Sequence, residues 1–195
     1  MTATTHDQAA LAPTPSPLRL EPAAAFDTLR GFLRDAAFEE DEICRRLDIP
    51  SLDRFRALRD GRPDTPPGDS LDVLIRLFLD NEPMRWSEAE ALLPGAALDA
   101  MRSLGLVRDH RSDPSRVVAN VLLYPTESLY ITSDVAALPE GEPAQWRDLV
   151  YAAITTNTRN FLATMPRGRC DTFLDLCSGT GVAALAAAAT FAEHA

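Results

Sequence analysis

Lysine is missing from this sequence altogether: all 19 of its basic residues are arginine. A Walker phosphate loop and Schiff-base catalysis both need a lysine, so these residues support neither. Cysteine is scarce. Cys44, Cys170 and Cys177 are odd in number and form no C-x-x-C pair, which excludes a disulfide framework and a cysteine zinc site and points to a reducing, cytoplasmic setting. His6, His110 and His194 lie too far apart for metal-ligand spacing, so no metal is expected. Long apolar runs are lacking too. The longest, Val182 to Ala192, is far short of a membrane span, and Met1 to Pro17 has neither a basic n-region nor an apolar h-region. Positive charge is in deficit, 19 basic against 29 acidic residues, and the net charge of -10 repels polyanions at long range. No membrane partner and no strong nucleic-acid affinity is therefore expected. The remaining composition, 46% hydrophobic and 25% charged, suits a globular chain of one or two domains.

Residues 1–20 mix Thr, Ala, Pro and Gln with little apolar periodicity and read as a disordered tail. From Ala23 the pattern turns helical. Phe26, Leu29 and Leu33 share a face that Phe32 widens, predicting a helix to about Phe38; Ile43 and Leu47 predict a second, and Leu52, Phe55 and Leu58 a third. Arg62–Gly68 is a proline-rich loop. Behind Asp69 or Ser70 as N-cap, Leu71, Leu74, Ile75 and Phe78 follow the i, i+3, i+4, i+7 rule. Ser87 to Glu90 fits a capping box, Pro94 and Gly95 end that helix, and Leu98, Met101 and Leu104 stripe another that Gly105 closes. The period then changes to two. Leu106–Arg108 and Arg116–Tyr124 flank a polar turn at Ser112–Ser115, and Ser128–Thr132 offers a third strand. Helix, capped helix, turn, helix and β-hairpin is the order of a winged-helix module, assigned to residues 21–137 with Phe78, Trp86 and Leu98 in its core. Leu138–Pro143 reads as a linker and Trp146–Leu162 as a helix opening a second domain over 138–195.

That second domain carries the most informative stretch. Thr172 to Leu176 reads as a buried strand, Cys177-Ser178-Gly179-Thr180-Gly181 as a glycine turn, and Val182 onward as an Ala-rich helix running to the end. Glycine in such a turn permits positive φ and close approach of a flat ligand to the backbone. Gly179 to Ala184 also satisfies the G-x-G-x-x-G/A pattern of dinucleotide binders. Asp175 discriminates between ligands, because a carboxylate at the strand end repels a pyrophosphate and attracts a cation. S-adenosylmethionine carries a sulfonium and an ammonium and no phosphate, so it suits this turn better than a nicotinamide coenzyme.

Phe173 to Leu185 resembles the first motif of class I S-adenosylmethionine-dependent methyltransferases, an acidic residue followed by Gly-x-Gly-x-Gly, with Cys177 in place of the first glycine. Together with the helical module and Tyr124 to Asp134, the chain is similar to bacterial methyltransferases that carry a small methyltransferase domain behind a winged-helix-like one, the domain type found in enzymes methylating glutamine in release factors or guanine in ribosomal RNA. The resemblance implies an α/β fold in which a winged-helix-like N-terminal domain precedes the first strand, turn and helix of a Rossmann-like sheet. It implies that Asp175, Leu176, Cys177, Ser178, Gly179, Thr180 and Gly181 contact S-adenosylmethionine. It leaves the catalytic residues unassigned and the methyl acceptor open among protein, RNA and small molecule. The Asn/Asp-Pro-Pro-Tyr segment of that family is not in these residues, and Glu193, the only acidic residue after Gly181, lies early and inside the presumed helix. The isolated chain is thus expected to be a front portion lacking full cofactor affinity and catalysis.

Competing readings stay open at this point. Asp175 either contacts a ligand or caps the turn through backbone N–H groups. Cys177 is a small buried residue before it is a reactive thiol, and Ser178 is no nucleophile elbow because Leu176 stands where G-x-S-x-G needs its first glycine. Thr155, Thr156 and Asn157 either line the pocket or cap and face solvent. The presumed recognition helix offers only Asp99 and Arg102, so acceptor recognition or homodimer formation suits the first domain better than DNA reading. A dinucleotide-dependent oxidoreductase and a non-enzymatic winged-helix regulator are the alternatives.

Overall fold

A computed structural model describes residues 18–20, 23–55, 65–135, 149–176 and 179–195. Residues 1–17 of the expected 1–20 tail, the linker at 138–143, Leu58, the start of the Arg62–Gly68 loop, and Cys177 and Ser178 lie outside the described residues. The end of that tail is ordered instead, with Leu18 against the apolar cluster and the Arg19 amide donating to the Leu104 carbonyl at 3.0 Å. Helix α1 (Ala23–Asp35) buries Ala25, Leu29 and Leu33 and stops short of Phe38, which is itself buried beyond the helix end. Helix α2 (Glu40–Leu47) has Glu40, Asp41 and Glu42 in its first turn and Arg45 and Arg46 in its last, the distribution that the helix dipole favours. A 3-10 turn (Leu52–Arg54) follows where the third helix was expected. Helix α3 (Ser70–Leu74) opens as the sequence predicts, with the Asp69 carboxylate accepting the Asp72 amide at 3.0 Å. It then widens into a π-helical turn (Ile75–Leu79), and this departure from the 3.6 period turns Leu77 and Leu79 inward beside Ile75 and Phe78.

Strand β1 (Met84–Arg85) was not foreseen, and it moves the next helix start. Helix α4 (Trp86–Leu92) begins at Trp86, so Ser87 lies inside it and the expected Ser87 box does not form; instead the Glu88 carboxylate accepts the Arg85 amide at 3.3 Å. Helix α5 (Gly95–Ser103) follows Pro94 and ends with Gly105 at a φ of 73°, the left-handed closure expected. Strands β2 (Val107–Asp109) and β3 (Arg116–Ala119) form the predicted antiparallel hairpin, and β1 pairs with the other edge of β3 to give the order β1-β3-β2. The expected single strand from Arg116 to Tyr124 breaks at Asn120. Its side chain donates to the Gly105 carbonyl at 2.8 Å and accepts from Arg108 Nε at 2.9 Å, so the chain leaves the first sheet there. Strands β4 (Val121–Thr126) and β5 (Leu129–Asp134) then form a second antiparallel hairpin.

The Trp146–Leu162 helix does not form as expected. Residues 149–155 are non-helical, since the Val150 amide donates to the Asp134 carboxylate and the Val150 carbonyl accepts the Asp134 amide, both at 2.9 Å. Helix α6 (Thr156–Thr164) begins only after Thr155, whose hydroxyl accepts the Thr158 amide at 3.2 Å. Strand β6 (Cys170–Thr172) is shorter than the predicted Thr172–Leu176 strand and earlier in the chain. Helix α7 (Val182–Thr190) does not run to the end: Ala192–His194 form strand β7, parallel to β6 through Cys170↔Ala192 and Thr172↔His194. Glu193 is therefore a strand residue, not a helical one. The architecture is a mixed α/β one with small sheets, and among the described residues no helix is long and apolar enough to cross a membrane. One contiguous apolar cluster takes in Phe78, Trp86 and Leu98 as expected and extends to Leu162, Val182 and Phe191.

Candidate functional site

The glycine turn lies between two parallel strands, on the crossover from β6 through α7 to β7. Gly179 has a φ of 50° and Gly181 one of 73°, left-handed values that a side chain resists. Gly181 also serves as N-cap of α7, its carbonyl accepting the Leu185 amide at 2.9 Å. An added Cβ at either glycine meets no atom within 4 Å, so the backbone faces open space there. Helix α7 packs down through Val182, Ala183, Ala186 and Ala187, which sets the turn against the rest of the molecule.

Asp175 is half-buried in the stretch between β6 and the turn, where the sequence places it. The expected buried strand is corrected here. Pairing stops once Phe173 donates to the His194 carbonyl at 2.8 Å, and Leu174 and Leu176 are 75% and 83% exposed. No described strand covers them, and without a partner the apolar alternation alone does not bury a strand. Thr180 differs from its neighbours: its side chain points inward, with Oγ1 withdrawn from solvent. Thr155, Thr156 and Asn157 are exposed; Thr155 caps α6, and Thr156 donates to the Asp53 carboxylate at 2.6 Å. Hydrogen bonds, from Ser51 first and then Thr156, hold the Asp53 carboxyl below its ordinary value.

Sequence reasoning missed a tie from the second hairpin to the segment ahead of α6. Tyr124 is fully buried in β4 and its hydroxyl accepts the Ala153 amide at 2.8 Å. Burial pushes the Tyr124 phenol above its ordinary pKa and so keeps it protonated. The available signal was a lone phenol in the aliphatic run Val121-Leu122-Leu123-Tyr124. Outside this face, a cleft of about 990 Å³ opens between α1 and the second hairpin, lined by Leu29, Leu33, Leu123, Pro125, Tyr130 and Thr132 among others. Those hairpin residues alternate with Tyr124, Ile131 and Ser133, so Tyr124 and the cleft lie on opposite faces of the hairpin. Among the described residues no group of histidine, cysteine, aspartate and glutamate has the makings of a metal site.

A protein-family model described as "Domain of unknown function (DUF7059)" matches residues 53–120. The matched stretch runs from the 3-10 turn to the Asn120 break and does not reach the glycine turn. Among curated proteins no significant match is found.

Proposed function

We propose that this chain carries the cofactor-binding front part of an S-adenosylmethionine-dependent methyltransferase, with a winged-helix-like domain ahead of a Rossmann-like one. One observation carries the reading: a turn with two left-handed glycines, Gly179 and Gly181, opens onto free space between parallel strands, with the Asp175 carboxylate just ahead of it. Helices α3, α4 and α5 followed by the antiparallel order β1-β3-β2 support the winged-helix reading of residues 21–137. The crossover from β6 to β7 supports the Rossmann-like reading, since a parallel pair joined through a helix is its repeating unit.

The residues present fit such a cofactor. The free space over Gly179 and Gly181 accommodates a flat group against the main chain, and Asp175 supplies the negative charge that a sulfonium or ammonium seeks. Bound there, S-adenosylmethionine supplies an electrophilic methyl group to a nitrogen or oxygen of a protein, RNA or small-molecule acceptor. The chain's own part is to bind and orient. Asp175 and the backbone of Leu176 to Gly181 hold one partner, and rate enhancement comes chiefly from proximity.

The nine glycines of the chain make a glycine-labelled NMR spectrum easy to read, and weak binding is visible in it. Titration with S-adenosylhomocysteine is expected to move the Gly179 and Gly181 amide signals, while NAD leaves them in place. A spectrum that moves with NAD alone, or with neither, overturns the reading.

A further inference from the structure

Phe26, Arg30 and Arg34 stand four residues apart in α1, so they form one row along its surface, beside the buried row of Leu29 and Leu33. All five line the cleft between α1 and the second hairpin. Across it, strand register puts Leu123 opposite Thr132 and Pro125 opposite Tyr130, a mostly apolar wall. Apolar surface left in water gathers here. Among the described residues of 18–135, the exposed large apolar side chains are Leu20, at 85%, and Phe26, at 37%, and both line the cleft. A lone exposed apolar residue needs no explanation, but two beside the same cavity mark a place where an apolar group is covered.

The charges of the cleft are unevenly engaged. Its carboxylates are Glu39, Glu40, Asp41 and Glu127, and its cations are Arg19, Arg30 and Arg34. Two of the carboxylates are already held by arginines from outside the cleft. Glu40 accepts from Arg159 at 3.0 Å, and Glu127 takes a two-point bond from Arg167 at 2.9 Å. The cleft's own arginines are not held in this way: Arg30 lies 3.9 Å from a largely exposed Asp27, and Arg19 and Arg34 make no ion pair among the described residues. Three guanidinium groups therefore stand against the carboxylates of Glu39 and Asp41, in a chain whose net charge is -10. Those two carboxylates belong to the start of α2 and not to the α1 row. Arg30 and Arg34 are one helical turn apart, close enough to grip a single anionic head together.

We propose that this cleft binds a small amphipathic anion, a linear alkyl carboxylate, with its head between Arg30 and Arg34 and its tail over Leu29, Leu33 and Leu123 toward Phe26. The volume of about 990 Å³ suits a small-molecule site, and the apolar wall with a few polar groups at one end is the usual make-up of one. From Arg34 back to Phe26 the row runs about 12 Å, eight residues at about 1.5 Å each, which sets the length of the tail. Neither Gly179 nor Gly181 lines the cleft, and the inference does not rest on the methyltransferase reading.

Glycine-labelled NMR of the full chain tests this, with decanoate, an alkyl carboxylate of comparable length, as probe below its micelle-forming concentration. Gly31 follows Arg30, and Gly105 lies between Leu104 and Leu106, which also line the cleft, so both amide signals are expected to move and to saturate. Gly68, Gly179 and Gly181 do not line it and are expected to keep theirs. Decanol and decyltrimethylammonium put a similar chain on a neutral and a cationic head, and each is expected to bind at least about fivefold more weakly than decanoate. In the double variant Arg30→Gln, Arg34→Gln, decanoate binding is expected to weaken about five- to tenfold while decanol binding stays as it was. Both side chains are exposed, so the variant is expected to keep the fold, which its ligand-free spectrum checks; should it not, the comparison of heads on the wild type decides. Phe26→Ser is expected to weaken decanoate and decanol alike, about threefold. No saturable shift at Gly31 or Gly105, equal affinity for the three heads, movement of all glycine signals together, or a folded arginine variant that binds decanoate like the wild type would each overturn the proposal.

Discussion

Residues 23–135 and residues 149–195 solve the same problem with unequal success. The first region closes its core: Phe38, Phe55, Phe78, Met101 and Tyr124 are all fully buried, and of its larger apolar side chains among the described residues only Phe26 stays exposed. The second leaves Tyr151, Phe161, Leu174, Leu176 and Leu185 exposed, and its sheet is a single parallel pair. Parallel strands gain stability when both faces and both edges are covered, which two strands and one helix cannot do. Stability therefore resides in the first region, and the open glycine backbone lies in the second. The second borrows order from the first through Tyr124, Asp134, Asp53 and Glu127, whose carboxylate takes a two-point bond from Arg167 at 2.9 Å.

The comparison breaks if apolar residues matter equally on both sides. Phe78→Ala is expected to cost about 3–5 kcal/mol, because it removes a fully buried ring from a packed site. Leu174→Ala and Leu176→Ala are expected to fall within about 0.5 kcal/mol of wild type, since these side chains are already in water. Urea unfolding followed by circular dichroism measures all three. A cost at Leu174 approaching that at Phe78 would mean that the second region has a covered core in solution.

A matched pair of glycines sharpens the contrast at the level of backbone. Gly31 lies within α1, and Gly181 caps α7 at a φ of 73°; an added methyl meets no atom within 4 Å at either. Only conformation separates them. Gly31→Ala should stabilise by about 0.5–1 kcal/mol, by sparing a helical residue the entropy of glycine. Gly181→Ala should destabilise by about 1–2 kcal/mol, the cost of a Cβ in left-handed backbone. Thermal melts of the two variants read the opposite signs, and a stabilising Gly181→Ala would show that the turn relaxes out of that conformation.

Local rules were legible wherever local chemistry decides. Asp69 caps α3, Gly105 closes α5, the β2–β3 hairpin forms around its polar turn, and Gly179 and Gly181 take positive φ, all as their residue types require. The misreadings share one cause, a distant partner. Ser87 loses its capping role because the Trp86 amide is taken by the Ser115 carbonyl at 2.9 Å. Asn120 divides an unbroken apolar run through bonds to Gly105 and Arg108. The helical spacing around Ala153 yields to bonds that the Val150 and Ala153 amides donate to Asp134 and Tyr124. Ala192–His194 carries no strand pattern and becomes a strand by pairing with Cys170–Thr172. Glu127 and Ser128 take positive φ with no glycine to announce it, because the β4–β5 hairpin demands a turn of that hand. For the candidate site, the glycine turn was readable and the exposure of Leu174 and Leu176 beside it was not, since whether a strand is covered depends on distant partners.

The smallest effect concerns one of the ties by which the second region leans on the first. Asp53, 7% exposed at its side chain, accepts from Thr156 at 2.6 Å and lies 3.5 Å from Arg159, which also reaches Glu40 at 3.0 Å. The folded state holds the Asp53 carboxyl below its ordinary value of 3.8, chiefly through the Ser51 and Thr156 hydroxyls. Charged Asp53 therefore favours the folded state at neutral pH. That contribution is complete above about pH 5 and is lost as the pH falls through 3.8 towards the lower folded value. Because Arg159 is half-exposed, the tie is worth less than about 1 kcal/mol. Asp53→Asn keeps a carbonyl acceptor for Thr156 and removes the charge, so the stability gap between wild type and variant should close on acidification from pH 6 to pH 3. Denaturant unfolding at stepped pH measures it. A gap that stays constant or widens in acid would mean that neutral hydrogen bonds alone dock α6, and that the second region leans on shape rather than charge.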